Sequence, residues 1–453
     1  MAVPEPRFHN RFRCPFYRTA TLGWLNLCLW VFTILGLWRP VPLEAQQAQA
    51  DREPIYELRF EADEVRVVHN VISQTRREAP ESDLDTGRAK GLGQASSEPP
   101  LTHFPFPVVA NNQAKKLVWF NADGTIKAQR SIPGGRKALV SNNGAYVLLV
   151  DGTGYATESG FQSVELLDAQ GTRLWEAVLP YSAYLSPTGE TVVSVRKGAM
   201  MEWADFSIWG QQGKLVEYET GVKKLSFSAD GQFLLVAELM AQDITCVSLF
   251  DKNGQRLWKR HCQPHTVQSI TDVFISKSGR FMAYAYYTSS TSRYLAVLDQ
   301  NGDMLWTRSG TVVWDIAFSE EDELIATLQE TEGGSAYDRE IVVANGRTGD
   351  AQRRFATPRP EESPIGGYTQ LSFLRNRNLL LRYYQRTSDG DILAHLQLFD
   401  PTGVLSWEST INPDTEDWNS VKPSWQQKGL LLGISMGRVF QLFDLSRHDL
   451  SEE

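Results

Sequence analysis

Short apolar runs recur along this chain at a steady interval, each introduced by a turn of the form Ser-x-x-Gly. The turns are Ser141-Asn142-Asn143-Gly144, Ser186-Pro187-Thr188-Gly189, Ser228-Ala229-Asp230-Gly231 and Ser276-Lys277-Ser278-Gly279, with a degenerate copy at Ser319-Glu320-Glu321-Asp322. The runs that follow, at 146–150, 191–195, 233–237, 281–286 and 324–328, are rich in β-branched and aromatic residues. Runs this short, bounded by turn residues, predict buried strands rather than helices. A second phrase follows each run: Leu167-Asp168-Ala169-Gln170-Gly171 leading to Trp175, Phe250-Asp251-Lys252-Asn253-Gly254 leading to Trp258, Leu298-Asp299-Gln300-Asn301-Gly302 leading to Trp306, and Phe399-Asp400-Pro401-Thr402-Gly403 leading to Trp407. Weaker copies centre on Gly124, Gly213 and Gly349. Glycine serves both turns because it tolerates positive φ.

Each repeat therefore predicts four strands: an inner strand, a tight turn, a second strand, a longer loop, a third strand, the Asp-x-x-Gly turn, and an outer strand carrying Trp. A four-stranded unit repeating every roughly 40 to 50 residues is the blade of a β-propeller. Blades are expected near 137–176, 180–219, 222–260, 268–308, 312–355 and 369–409. A last set at 421–445 supplies only three strands, so an N-terminal strand must close the ring. If the hairpin 115–131 closes it, there are seven blades; if 106–131 forms its own blade and 56–60 closes the ring, there are eight. The expectation is an all-β chain: a single β-propeller of seven, alternatively eight, four-stranded blades. Residues 106–453 form the propeller, and 51–105 hold an N-terminal strand segment and a linker rich in Arg, Glu, Ser, Gly and Pro.

The outer phrase resembles the tryptophan-docking repeat of PQQ-type propellers, in which a Gly and a following Trp pack between blades. The Asp-x-x-Gly loops here are one residue shorter than that family's spacing, and Thr348-Gly349-Asp350 keeps the longer form. The inner phrase, as in Phe227-Ser228-Ala229-Asp230-Gly231, resembles the WD40-like repeats of bacterial periplasmic propellers. The resemblance implies a propeller fold and interblade packing for Trp175, Trp258, Trp306 and Trp407. It implies little about function, because the motif residues are structural.

The first fifty residues follow a different pattern. Arg7, Arg11, Arg13 and Arg18 precede an apolar stretch at 22–38, followed by Pro40, Pro42 and the small-residue triplet Ala48-Gln49-Ala50. This is the order of a secretory signal peptide, with an uncleaved membrane anchor as the alternative. Residues 1–50 are therefore expected to be a signal peptide, and the mature protein to be periplasmic or extracellular with no membrane span. Cleavage leaves two cysteines, Cys246 and Cys262, flanking one hairpin; in an oxidising compartment such a pair is expected to be bonded.

Net charge is −9 with an isoelectric point near 5.5. An acidic chain without a basic run is not expected to bind nucleic acid. No haem-attachment motif, nucleophile elbow, zinc-protease helix or sialidase Asp-box occurs. The local cluster His261-Cys262-Gln263-Pro264-His265 is read as an exposed loop rather than a metal site, because a disulfide would remove the thiol. No catalytic residue, cofactor or metal ligand is assigned.

The tight turns share one face of the ring, and the longer loops gather on the other. Those longer loops carry acids and aromatics: Trp203, Asp205, Glu330, Glu332, Tyr337, Asp338, Tyr368, Asp389 and Trp418. They form the candidate binding face, since loops rather than scaffold strands carry function. The expectation is an exported, monomeric, non-catalytic propeller acting as a protein-interaction or envelope scaffold. The alternative is a periplasmic enzyme with a funnel site, either a PQQ-type oxidoreductase or a hydrolase or lyase. The two differ in whether charged side chains with perturbed pKa values converge on the central channel.

The disulfide has a direct check. Closing a loop of about 15 residues is worth about 3 kcal/mol in the chain-entropy model. Intact-mass analysis of the exported protein is expected to show the bond, and reduction to lower its unfolding free energy by about that amount. Two thiols that alkylate without reductant would refute it.

Overall fold

The protein is described here by a computed structural model. It describes residues 54–445 apart from 55, 61–64, 71–104, 113, 152–160, 181, 198–202, 241–243, 265–267, 289–291, 311, 331–338, 358–368, 375–376, 387–391, 412–423, 429–430 and 437–438. Residues 1–50, read from sequence as a signal peptide, most of the segment 51–105 and several long loops lie outside these residues. Among the described residues there is no α-helix, and none that is long and apolar enough to cross a membrane.

Six four-stranded antiparallel sheets and one five-stranded sheet make seven full blades of a β-propeller. Blades 1 to 6 span residues 136–180, 182–218, 221–264, 268–309, 313–356 and 370–411, within a few residues of the repeat boundaries. Blade 7 consists of Ser424–Lys428, Leu431–Met436 and Val439–Asp444, completed by the N-terminal strand Tyr56–Phe60, which pairs antiparallel with Val439–Asp444. Val65–Asn70 adds a fifth strand outside it. The ring is thus closed by the N-terminal strand, which pairs with the last strand of the chain.

The hairpin 115–131 does not close blade 7. Val108–Asn111, Lys116–Phe120 and Ile126–Ser131 form a separate three-stranded sheet between blades 7 and 1. Among the described residues it has no innermost strand. Val108–Asn111 packs against both Leu431–Met436 and Arg136–Val140, and Ser424–Lys428 meets Arg136–Val140 directly. The three-stranded sheet is a wedge in the outer layers, and the channel is lined by the inner strands of the seven full blades.

Both repeated turns work as their residue types predict. In the inner turn, the Ser hydroxyl accepts the N–H of the residue five positions on: Tyr146 on Ser141 at 3.0 Å, Phe233 on Ser228 at 2.9 Å, and Leu324 on Ser319 at 3.1 Å. The degenerate turn is completed by Asp322, which takes the glycine position at φ 58° and presents its carboxylate to Ser276 and Ser278 of the preceding blade. In the outer turn, the Asp carboxylate accepts two backbone N–H groups, as at Asp251 from Asn253 (3.0 Å) and Gln255 (2.7 Å). These bonds within the turn give the turn aspartates a structural role.

The tryptophans join one blade to the next. The indole Nε1 of Trp175 donates to the Gly210 carbonyl at 2.8 Å, that of Trp258 to Gln300 at 2.9 Å, and that of Trp306 to Gly346 at 3.0 Å. Each accepting carbonyl lies in or beside the outer turn of the following blade. The turn glycine then lies against the ring: a Cβ at Gly349, where φ is 75°, would lie 2.7 Å from Trp306. In blade 2 the Trp position is Val216, and Tyr218 substitutes by donating to the Gly254 carbonyl at 2.6 Å.

Cys246 and Cys262 are disulfide-bonded across strands Ile244–Asp251 and Arg256–Pro264 of blade 3, with Cα atoms 4.1 Å apart. The strand pairing skips a register there, and His261 adopts φ 52° as the extra residue of a bulge.

The interblade contact separates two costs of substitution. Gly310 has φ 79° and open space where a Cβ would go, whereas Gly349 has a similar φ and the Trp306 ring. Gly310→Ala is expected to lose about 1–2 kcal/mol from the left-handed conformation alone. Gly349→Ala should lose about 1–3 kcal/mol more from the steric conflict. Urea denaturation of the two variants checks this; equal losses would mean that the Gly–Trp contact contributes nothing.

Candidate functional site

The inner strands end at the tight-turn face around a cavity of about 850 Å³. Its rim is made by the inner turns of successive blades, including Asn142, Thr188, Ala229, Lys277 and Glu320. The rim carries little net charge, because Lys277 and Glu320 of neighbouring blades form an ion pair at 2.7 Å. Deeper in, the wall carries three aromatic rings, Phe274, Phe318 and Phe373, each half-buried.

The deeper wall carries charged groups. Asp315 lies mid-strand in Val313–Phe318 of blade 5, and Arg382 lies in Leu379–Arg386 of blade 6. Asp315 Oδ2 accepts the Leu371 N–H of the next blade at 2.6 Å, and Arg382 Nη2 donates to Ser372 Oγ at 2.7 Å. Burial pushes the Asp315 carboxyl up to about 7. The N–H groups of Leu371 and Ile316 and the Arg382 charge pull it back only in part, and Asp272 on the preceding inner strand pushes it further up. Burial likewise lowers the Arg382 pKa, against the opposing pull of Tyr384 and Asp315.

These charges follow a repeat rule. Lys224, Asp272 and Asp315 each stand four residues before the inner-turn Ser, at Ser228, Ser276 and Ser319. In each strand the pairing register shifts just before that residue. Lys224 and Asp272 form an ion pair at 3.2 Å across blades 3 and 4. Neither Asp315 nor Arg382 belongs to a known motif, so neither was singled out from sequence. The available signals were the shared offset from Ser and the lone charge in the apolar run Leu379-Leu380-Leu381-Arg382-Tyr383.

The long-loop residues fare differently. Glu332, Tyr337, Asp338, Tyr368, Asp389 and Trp418 lie outside the described residues. Trp203 opens the strand Trp203–Gly210. Asp205 is buried in the same strand and ion-paired with Arg196. Glu330 ends the strand Leu324–Glu330 opposite Arg339, whose guanidinium it stabilises. Asp205 and Glu330 thus have partners within their own blades. The cavity opens at the opposite, tight-turn face.

The His261–His265 cluster is part of the strand Arg256–Pro264 rather than a loop, at least as far as Pro264. The Cys262 sulfur is bonded to Cys246, and His261 Nε2 bonds the Gly302 carbonyl at 2.8 Å. His265 lies outside the described residues.

No protein-family model and no curated protein matches the chain. Among solved structures, the crystal structure of a mitotic checkpoint complex contains a chain aligned over 81% of this chain and 99% of its own, at 12% identity and a TM-score of 0.42. The Myceliophteria thermophila Swd1 β-propeller domain aligns over 61% of this chain and 92% of its own, at 13% identity and a TM-score of 0.36. Likeness at this level carries no argument about what this chain does.

The raised Asp315 pKa makes stability depend on pH. The folded-state pKa lies above the unfolded value of 3.8. The neutral acid is therefore favoured by folding, and its contribution is complete below pH about 4 and is lost as pH rises through about 7. Asp315→Asn keeps an oxygen for the Leu371 N–H and stays neutral. It is expected to melt with the parent protein near pH 4 and to be more stable by on the order of 1–3 kcal/mol at pH 8. A variant less stable than the parent at pH 8 would contradict the assignment.

Proposed function

We propose that the protein is an exported, non-catalytic binding propeller that receives a ligand, or a segment of a protein partner, in the cavity at its tight-turn face. One observation carries this reading. The ionisable groups of the cavity are engaged within the fold: Asp315 to the Leu371 N–H of the next blade, Arg382 to Ser372 of its own blade, and Lys277 to Glu320 of the neighbouring blade. Groups held this way shape and charge a site without supplying a nucleophile and base in mutual contact. The cavity volume lies in the range of ligand pockets, roughly 300–1,000 Å³. Export is supported by the basic-then-apolar order of the N-terminal segment and by the Cys246–Cys262 disulfide, a bond that persists in oxidising compartments.

A funnel enzyme is the second reading. It is favoured by Asp315, a carboxyl near pKa 7 on the channel wall, which has the acidity of a general base. Its oxygen bonded to the Leu371 N–H gives it a structural role as well.

Filling the cavity separates these readings from a scaffold that binds elsewhere. Ser226 lines the cavity from blade 3, and Leu215 is exposed on the outer strand of blade 2. Ser226→Trp is expected to abolish ligand-dependent thermal stabilisation in a metabolite and peptide screen, and Leu215→Ser to leave it intact. Equal loss from both variants would defeat the cavity as the site. Robust dye-linked dehydrogenase activity on reconstitution with PQQ and calcium would establish the enzyme instead.

A further inference from the structure

We propose that the cavity recognises a carboxylate carried on an apolar group, with Arg382 as its counter-ion and Phe274, Phe318 and Phe373 as the wall for the apolar part. The inference rests on the reading of the cavity as a binding site and adds the chemical class of what binds.

The cavity floor offers mainly hydrogen-bond donors. Arg382 is a buried guanidinium with five N–H groups and no acceptor. Its Nη2 donates to Ser372 Oγ, which leaves the Ser372 hydroxyl hydrogen for another acceptor. Gln370, exposed to the channel, adds an amide. A guanidinium at depth interacts with an anion more strongly than one in water does, and its planar fork matches the two oxygens of a carboxylate. Above the floor, the three phenylalanine rings offer apolar surface to the rest of the ligand. The Lys277–Glu320 pair at the rim adds no net charge.

The sign of the floor depends on Asp315. The groups facing it are Arg382 from blade 6, Asp272 from blade 4 with Lys224 paired to that carboxylate, and the Leu371 and Ile316 N–H groups. Protonation of Asp315 removes the carboxylate charge facing Arg382 and makes the acid O–H a further donor. With Asp315 ionised, the two charges cancel and a bound carboxylate faces a like charge. An apolar carboxylate should therefore bind well below pH 7 and weaken above it, and an apolar amine should show the reverse.

The test is calorimetric titration of the full chain with 3-phenylpropionate, 3-phenylpropionamide and phenethylamine, and with the peptide Gly-Gly-Phe bearing a free or an amidated C-terminus. At about pH 6 the free acids are expected to bind at least about tenfold more tightly than their amides. Arg382→Gln should remove that preference. From about pH 6 to about pH 8.5 the affinity of the parent protein for the acid should fall about tenfold, and Asp315→Asn should abolish the fall. Tighter binding of the peptide acid would assign the carboxylate to a protein terminus, and tighter binding of phenylpropionate to a small molecule; either supports the proposal. Equal affinity for acid and amide, preference for the amine at about pH 6, or no saturable binding of either acid up to about 10 mM overturns it. If Arg382→Gln does not fold, the acid–amide comparison on the parent protein and the pH response of Asp315→Asn decide. If the acids fail while Ser226→Trp still abolishes ligand stabilisation in the wider screen, the carboxylate class falls and the cavity reading stands.

Discussion

The ring depends on one contact made repeatedly: an aromatic side chain at the outer edge of one blade set against the turn of the next. Within a blade, strand pairing satisfies the backbone, but nothing in a four-stranded sheet tells it how far to rotate from its neighbour. The Trp ring supplies that spacing, and its N–H fixes the direction by bonding the next turn's backbone. The arrangement requires a turn residue without a side chain, because a Cβ at Gly171 or Gly302 would lie 3.0 Å from Trp119 or Trp258. The inner turns repeat the device with other partners: the Asn142 N–H bonds the Pro187 carbonyl, and Gly279 lies against Phe233. Buried apolar clusters combining residues of adjacent blades lie between the two tiers of turns, such as Leu235, Val247, Val273 and Tyr284. The stability of each blade is therefore shared with its neighbours.

A chain of nearest-neighbour contacts leaves two ends, and a ring must join them. Here the join has two layers. The strand Tyr56–Phe60 zips onto Val439–Asp444 in the outer part of blade 7, while Ser424–Lys428 and Arg136–Val140 meet at the channel. The wedge sheet 108–131 fills the outer gap. Its Trp119 packs on Gly171 of blade 1, so it takes part in the same docking series although it contributes no strand to the channel. This is how the count of seven and the separate sheet at 106–131 coexist: among the described residues the inner circumference holds seven strands, and the wider outer circumference has room for an additional sheet.

The sequence makes the blades legible because both turns leave covalent traces at fixed positions. Ser, Gly, Asp and Trp are each demanded by a local geometry that recurs, so repetition reveals them. What repetition conceals is any residue whose role differs from blade to blade. Lys224, Asp272 and Asp315 share one position in the repeat but carry opposite charges, and the corresponding position in blade 6 is Gln370. A search for likeness passes over such a position, although variation on a constant scaffold is where specificity would be built. Arg382 is hidden for a second reason: it comes from a second strand, and its approach to the channel depends on how two blades meet, which no local pattern encodes. The long-loop acids were conspicuous because loops are polar and irregular, yet Asp205 and Glu330 prove to serve the edges of their own blades.

The disulfide shows the same division between local and interblade information. Its two cysteines flank a hairpin and are visible as a pair, but the reason that Cys262 faces Cys246 is the bulge at His261. That bulge turns the imidazole toward blade 4, where it bonds the Gly302 carbonyl and lies 5.8 Å from the Tyr284 ring. Trp258 and His261 on the same strand thus hold two neighbouring carbonyls of one turn, Gln300 and Gly302. The covalent bond pins the strand that makes both contacts. It therefore strengthens the seam between blades 3 and 4 as well as the hairpin it crosses, and across the same seam, at the inner strands, Lys224 pairs with Asp272. The geometry of the cavity wall is held from the rim of the ring inward, through the contact on which every blade depends.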